Sequence, residues 1–128
     1  MTKLNEIYQC SICGNVVEIV NDAQGQLVCC DKPMSKLEAK TQDAGNEKHV
    51  PVIEELDKGL KIKVGSVSHP MEEEHYIKFI EILKKDRVCR IPLNPGDSTE
   101  IVCDCLKKDD IIEVREFCTV HGLWKNAE

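Results

Sequence analysis

Tyr76-Ile77-Lys78-Phe79-Ile80-Glu81-Ile82-Leu83 is the stretch on which the fold turns. Ile77, Ile80 and Leu83 recur at the spacing of an amphipathic helix, and Glu73, Ile77 and Glu81 do not settle which face such a helix would bury. The flanks decide the matter. Upstream, Val50-Pro51-Val52-Ile53 looks extended, and Leu60, Ile62 and Val64 alternate with Lys61 and Lys63 as a half-buried strand would. Downstream, Arg87 to Ile91, Thr99 to Leu106 and Ile111 to Phe117 repeat that pattern, with Asn94-Pro95-Gly96-Asp97 as a turn between two of them. Short strands at regular spacing, punctuated by Gly and Pro, describe an all-β sandwich, and Tyr76 to Leu83 is read as one of its strands.

Residues 1–37 form a separate unit by composition, with four cysteines and the turn signals Cys13-Gly14-Asn15 and Asp22-Ala23-Gln24-Gly25. Val16 to Val20 and Gln26-Leu27-Val28 read as short strands. So small a unit buries little apolar surface and calls for a metal, a disulfide or a partner subunit. The polar run from Lys36 to Asn46 reads as linker and surface loop, and residues 38–128 make the larger sandwich domain.

Of the 128 residues 41% are hydrophobic but only 4% aromatic, so aliphatic side chains fill the core. A formal net charge of -6 argues against a nucleic-acid surface, which needs clustered Lys and Arg. The first eight residues hold no apolar core of signal-peptide length, and no run approaches the roughly 20 apolar residues that span a bilayer. No membrane partner is expected, and a reducing cytoplasm is the expected location. There, eight cysteines are a sign of metal more than of disulfides.

Cys10-Ser11-Ile12-Cys13 places two thiols where a tight turn aims both at one ion, and Cys29-Cys30 follows after a hairpin-sized gap. Four thiolates make a soft tetrahedral site for iron or zinc, and the spacing does not choose between them. Neighbours on an extended chain point to opposite faces, so Cys29 and Cys30 reach one ion only through a local bend, and a distorted tetrahedron is expected.

The four histidines, His49, His69, His75 and His121, are each unremarkable alone, since a lone histidine is more often a surface or hydrogen-bonded residue. As a set they lie near strand ends, where loops of a rigid sandwich meet, and Cys118-Thr119-Val120-His121 adds a thiolate. Imidazole with one thiolate suits iron or copper redox chemistry. Five protein ligands exceed the usual four of zinc, and an ion preferring six keeps one position open.

On these motifs the chain resembles the desulfoferrodoxins, the two-iron class of superoxide reductases. The similarity is carried by Cys10, Cys13, Cys29 and Cys30; by Glu47 to Ile53; by Lys63-Val64-Gly65-Ser66-Val67-Ser68-His69-Pro70-Met71-Glu72; and by Cys118 to Trp124. The resemblance implies a desulforedoxin-like first domain with a distorted four-cysteine iron. It implies an immunoglobulin-like second domain whose catalytic iron takes His49, His69, His75 and His121 as equatorial ligands and Cys118 as the axial thiolate. Lys48 would supply positive charge beside the open position, and Glu47 would close it after oxidation. One-electron reduction of superoxide to hydrogen peroxide without oxygen release, a homodimer and a rubredoxin-like electron donor are further implications.

Plainer readings stand beside these. A non-catalytic electron-transfer iron protein, with its histidine site closed, is the alternative function. Glu47 and Lys48 are also an ordinary exposed charge pair, and Glu72 to Glu74 a solvated face. Trp124 packs either on a ligand ring or in the core. Cys89, Cys103 and Cys105 read as small buried hydrophobes, with a redox-sensitive thiol pair as the lesser option.

Overall fold

The computed structural model describes residues 1–42, 48–65, 69–104 and 106–126. The chain divides into two compact units, Met1–Glu38 and Ala39–Glu128. Both are built of strands; the described residues contain no α-helix, and no helix is long and apolar enough to cross a membrane.

In the first unit, β1 (Ile7–Gln9) pairs antiparallel with β2 (Val16–Glu18). The hairpin of β3 (Val28–Cys29) and β4 (Lys32–Pro33) follows, and β5 (Ser35–Lys36) returns to the other edge of β1. Ile7, Ile19 and Cys10 are its buried hydrophobic side chains. The strand expected over Val16 to Val20 is shorter, and that expected over Gln26 to Val28 starts only at Val28, where pairing with Pro33 begins.

The second unit carries β6 (Pro51–Glu55), β7 (Leu60–Val64), β8 (Ile77–Lys84), β9 (Val88–Pro92), β10 (Glu100–Cys103), a short 3₁₀ turn at Lys108–Asp110, β11 (Ile111–Cys118) and β12 (Gly122–Lys125). They form two sheets, in the orders β10-β7-β6 and β12-β11-β8-β9. Alternation on β7 works as expected: Leu60, Ile62 and Val64 enter the core, while Lys61 and Lys63 lie half-buried and pair with Glu100 (3.1 Å) and Glu54 (3.0 Å). The facing sheet contributes Ile80, Ile82 and Val114. Cys89 and Cys103 pack against this core but are half-buried rather than buried as expected, and Cys105 lies outside the described residues. The strand expected to run to Leu106 ends at Cys103 in a turn at Asp104; Leu106 is buried from outside it.

The segment that decides the fold is a strand with a bulge. Phe117 pairs with Phe79, but the next residue of β11, Cys118, pairs with Ile77, leaving Lys78 as an extra residue on β8. The bulge explains the ambiguous spacing. Strict alternation would put Ile77 on the face opposite Ile80 and Ile82; the inserted Lys78 returns it to the core, three residues from Ile80 as on a helix. Ile77 and Cys118, both 0% exposed, therefore sit together at the core end of the sheet. On the outer face the buried Glu81 accepts from Arg115 Nε (3.0 Å) and Arg90 Nε (2.9 Å).

Two candidate metal centres

In the first unit the chain reverses between Cys10 and Gly14, where Gly14 N–H donates to the Cys10 carbonyl (3.0 Å) at φ +83°. That turn aims the N–H groups of Ile12 and Cys13 at Cys10 Sγ, 3.3 and 3.4 Å away. The second pair is delivered by the β3–β4 hairpin, whose two-residue loop is Cys30-Asp31. Both loop residues are left-handed, φ +53° and +59°, as a type I′ turn requires, although neither is glycine. This is the bend that adjacent cysteines need, and it is held in a conformation that ordinary side chains adopt only at a cost.

The four sulfurs lie within 4.8 Å of one another; Cys13 and Cys29 are 3.6 Å apart, Cys29 and Cys30 4.0 Å. A tetrahedron with metal–sulfur bonds of about 2.3 Å has edges of about 3.8 Å, so the set fits one ion. The thiols are unequal. Cys10 is drawn down to about 6, first by the N–H of Cys13 and then by that of Ile12. Cys30 is pushed up to about 12, first by Cys13 and then by Cys29 and Cys10, and Cys29 is raised chiefly by Cys13. Crowded thiols cannot all ionise together; a cation among them removes that conflict.

In the second unit the histidines come from loops at strand ends. His49 precedes β6, His69 follows β7, His75 precedes β8, and His121 sits in the turn between β11 and β12. Their rings meet in a closed cycle: His49 to His69 (4.7 Å between centroids), His69 to His75 (5.0 Å), His75 to His121 (5.1 Å) and His121 to His49 (4.8 Å). Cys118 Sγ is 3.5 Å from His69 Nε2 and 3.8 Å from His121 Nδ1. The two nitrogens differ for a reason of reach. His121 is only three residues from Cys118, so its inner nitrogen comes near, whereas His69 arrives from another loop and extends its outer one. His69 Nδ1 donates to the Pro70 carbonyl at 2.7 Å, which makes Nε2 the acceptor that faces the sulfur.

His49, His75, His121 and Cys118 offer ligand atoms that all lie within 4.8 Å of one another. His69 is not in that mutual set, so the expected four-histidine group appears here as three histidines and a cysteine. In the ring cycle His69 stands diagonally across from His121, and His49 diagonally across from His75. His49, His75, His121 and Cys118 would hold one ion: two nitrogens each about 2.1 Å from a metal are at most about 4.2 Å apart, inside the 4.8 Å that spans this set.

Lys48, half-buried beside His49, is held by close backbone approach. Gly65, at φ +72°, donates to the Val50 carbonyl at 3.0 Å, and a Cβ there would collide with the carbonyl and Cβ of Lys48. Glu47, the other expected site residue, lies outside the described residues. Trp124 does pack on a ligand candidate: it stacks on His49 and donates from Nε1 to the His121 carbonyl at 3.1 Å. Thr119 ties two of the loops, its N–H donating to the Tyr76 carbonyl (3.0 Å) and its Oγ1 accepting from Tyr76 N–H (3.2 Å). Sequence reading missed Lys40, which lies in the polar run outside every motif; Thr119 and Gly65 stood within quoted motifs without a role.

The Desulfoferrodoxin family matches residues 41–127, and the family described as Desulfoferrodoxin, N-terminal domain matches residues 2–37. A desulfoferrodoxin homolog of Methanothermobacter thermautotrophicus is 50% identical over 124 residues, which is 97% of this chain and 99% of its own. The desulfoferrodoxin of Syntrophotalea carbinolica is 46% identical over 126 residues, 98% of each chain. Among solved structures, the superoxide reductase from Treponema pallidum matches with a TM-score of 0.73 at 27% identity, covering 94% of this chain and 96% of that one. The chain therefore belongs to the desulfoferrodoxin family and is a homologue of the superoxide reductases, which are oxidoreductases.

Proposed function

We propose that the protein reduces superoxide to hydrogen peroxide at the histidine centre, consuming one electron and two protons per superoxide and releasing no oxygen. The observation that carries this reading is the convergence of His49, His75 and His121 with the thiol of Cys118. His69, 3.5 Å from the same sulfur, is assigned as the fourth imidazole. Ferrous iron held by this set would supply the electron.

The chain's own residues account for the rest. Four neutral imidazoles and one thiolate leave a divalent ion with net positive charge, so the centre attracts an anion although the protein as a whole carries -6. Lys48 is assigned to add to that field and to hold a proton at Nζ near the incoming oxygen, and Glu47 to occupy the open position after turnover. Cys118, buried at the end of β11, keeps its sulfur away from bulk water. His121 is exposed, so solvent reaches one edge of the centre.

Cys10, Cys13, Cys29 and Cys30 are assigned to a second iron, residues 1–37 and 38–128 to the two domains, a rubredoxin-like protein to electron supply, and the assembly to a homodimer. The test is rapid mixing of the reduced, iron-loaded protein with stoichiometric superoxide. Oxidation of the histidine-ligated iron is expected within milliseconds, and slower in Lys48→Ala at low salt. An iron centre that stays reduced through the superoxide pulse would refute the reading.

A further inference from the structure

Lys40 reaches the histidine centre without belonging to any ligand motif. Its backbone is fastened to β12: Lys40 N–H donates to the Leu123 carbonyl (3.0 Å) and Lys125 N–H donates to the Lys40 carbonyl (2.9 Å), a parallel bridge opposite Trp124. From that anchor the Lys40 ammonium donates to the His121 carbonyl at 3.0 Å and lies 4.9 Å from the centroid of the Trp124 ring. Trp124 Nε1–H donates to the same carbonyl at 3.1 Å, and the indole stacks on His49. One cation thus touches the backbone of one ring member and the aromatic plate that packs on another.

We propose that Lys40 is a positioning and charge-tuning residue of the histidine centre, acting through the His121 carbonyl and the Trp124 ring. This rests on the reading of that centre as an iron site. A carbonyl gripped by two donors fixes the turn that presents His121 Nδ1 to Cys118, and a cation over an indole face gains attraction from the ring quadrupole. A positive charge held near a bound ion disfavours its more positive oxidation state, so the ammonium raises the reduction potential. Lys40 is exposed, which makes the charge effect sensitive to salt while the packing effect is not.

That difference separates the two roles in the full-length, iron-loaded protein. Lys40→Met keeps the stem and removes the charge, Lys40→Arg keeps both, and Lys40→Ala removes both. The midpoint potential of the histidine-ligated iron is expected to fall in Lys40→Met at low salt, to approach the parent value at high salt, and to hold in Lys40→Arg. Trp124 is the only tryptophan, so acrylamide quenching of its fluorescence in the metal-free protein reports its cover; quenching is expected to rise in Lys40→Ala. A Lys40→Met protein with the parent's potential at low salt overturns the tuning role, and a Lys40→Ala protein with the parent's quenching overturns the contact. Neither measurement uses superoxide. A protein that failed as a reductase would thus fail in the mixing experiment while these shifts stood or fell on their own.

Discussion

The indole of Trp124 lies against the imidazole of His49, ring centroids 4.5 Å apart and planes 11° from parallel. Trp124 is 5% exposed, so the stack is core packing and also backs a ligand candidate. Trp124→Phe preserves an aromatic plate but not the bond to the His121 carbonyl, and Trp124→Ala removes both. Losing an outer-shell partner of a ligand costs about 10- to 100-fold in metal affinity. Iron affinity measured by chelator competition is expected to fall modestly in Trp124→Phe and by that larger factor in Trp124→Ala, which should also lose about 3–5 kcal/mol of stability. Equal affinities in all three proteins would show that the stack does not hold His49.

Gly65 is fixed by the backbone of Lys48. A methyl group at 65 meets a carbonyl that cannot swing aside, and the left-handed φ of +72° adds about 1–2 kcal/mol of strain. Gly65→Ala is expected to lower the thermal midpoint and to weaken iron binding at the histidine centre, because relief of the clash displaces His49 with Lys48. A destabilised variant with unchanged iron affinity would confine the effect to folding.

The four cysteines of the first centre all lie in the first unit, and the histidines and Cys118 in the second. If each centre holds one iron as proposed, Cys13→Ser is expected to lose the iron of the cysteine centre, read by metal analysis with the visible spectrum, while the histidine-centre signature persists. Loss of both signatures together would contradict independent loading.

Glu81 is fully buried between Arg115 and Arg90, and Arg115 is itself only 6% exposed. Glu81→Ala takes a buried counter-charge from the guanidinium of Arg115, a change of a kind that costs about 3–5 kcal/mol. Denaturant unfolding of the metal-free protein is expected to show that loss; a change below about 1 kcal/mol would place the pair among surface ion pairs.

Much of this was legible in the sequence, and the parts that were not have physical causes. Alternation exposed β7 directly, because Leu60, Ile62 and Val64 need no bulge to face the core. The same rule blurred at β8, where Lys78 is an insertion that only pairing with Phe117 and Cys118 reveals. Cys10 to Cys13 announced its turn through spacing, whereas the left-handed Cys30-Asp31 loop carries none of the Gly or Asn that usually mark one. The histidines were visible as a set, yet their order around the ring, with His69 opposite His121, comes only from loops meeting in space. Lys40 sat in a polar run read as linker, and nothing in its neighbours' identities signals a bond to a carbonyl 81 residues away.

The most direct test of superoxide reduction is a balance sheet of electrons, peroxide and oxygen. With a steady superoxide flux, a reduced donor and catalytic protein, one peroxide is expected per donor electron consumed, with no oxygen beyond that of spontaneous dismutation. Oxygen formed in equal amount to peroxide, with the donor left reduced, would make the protein a dismutase and rule out superoxide reduction as its activity.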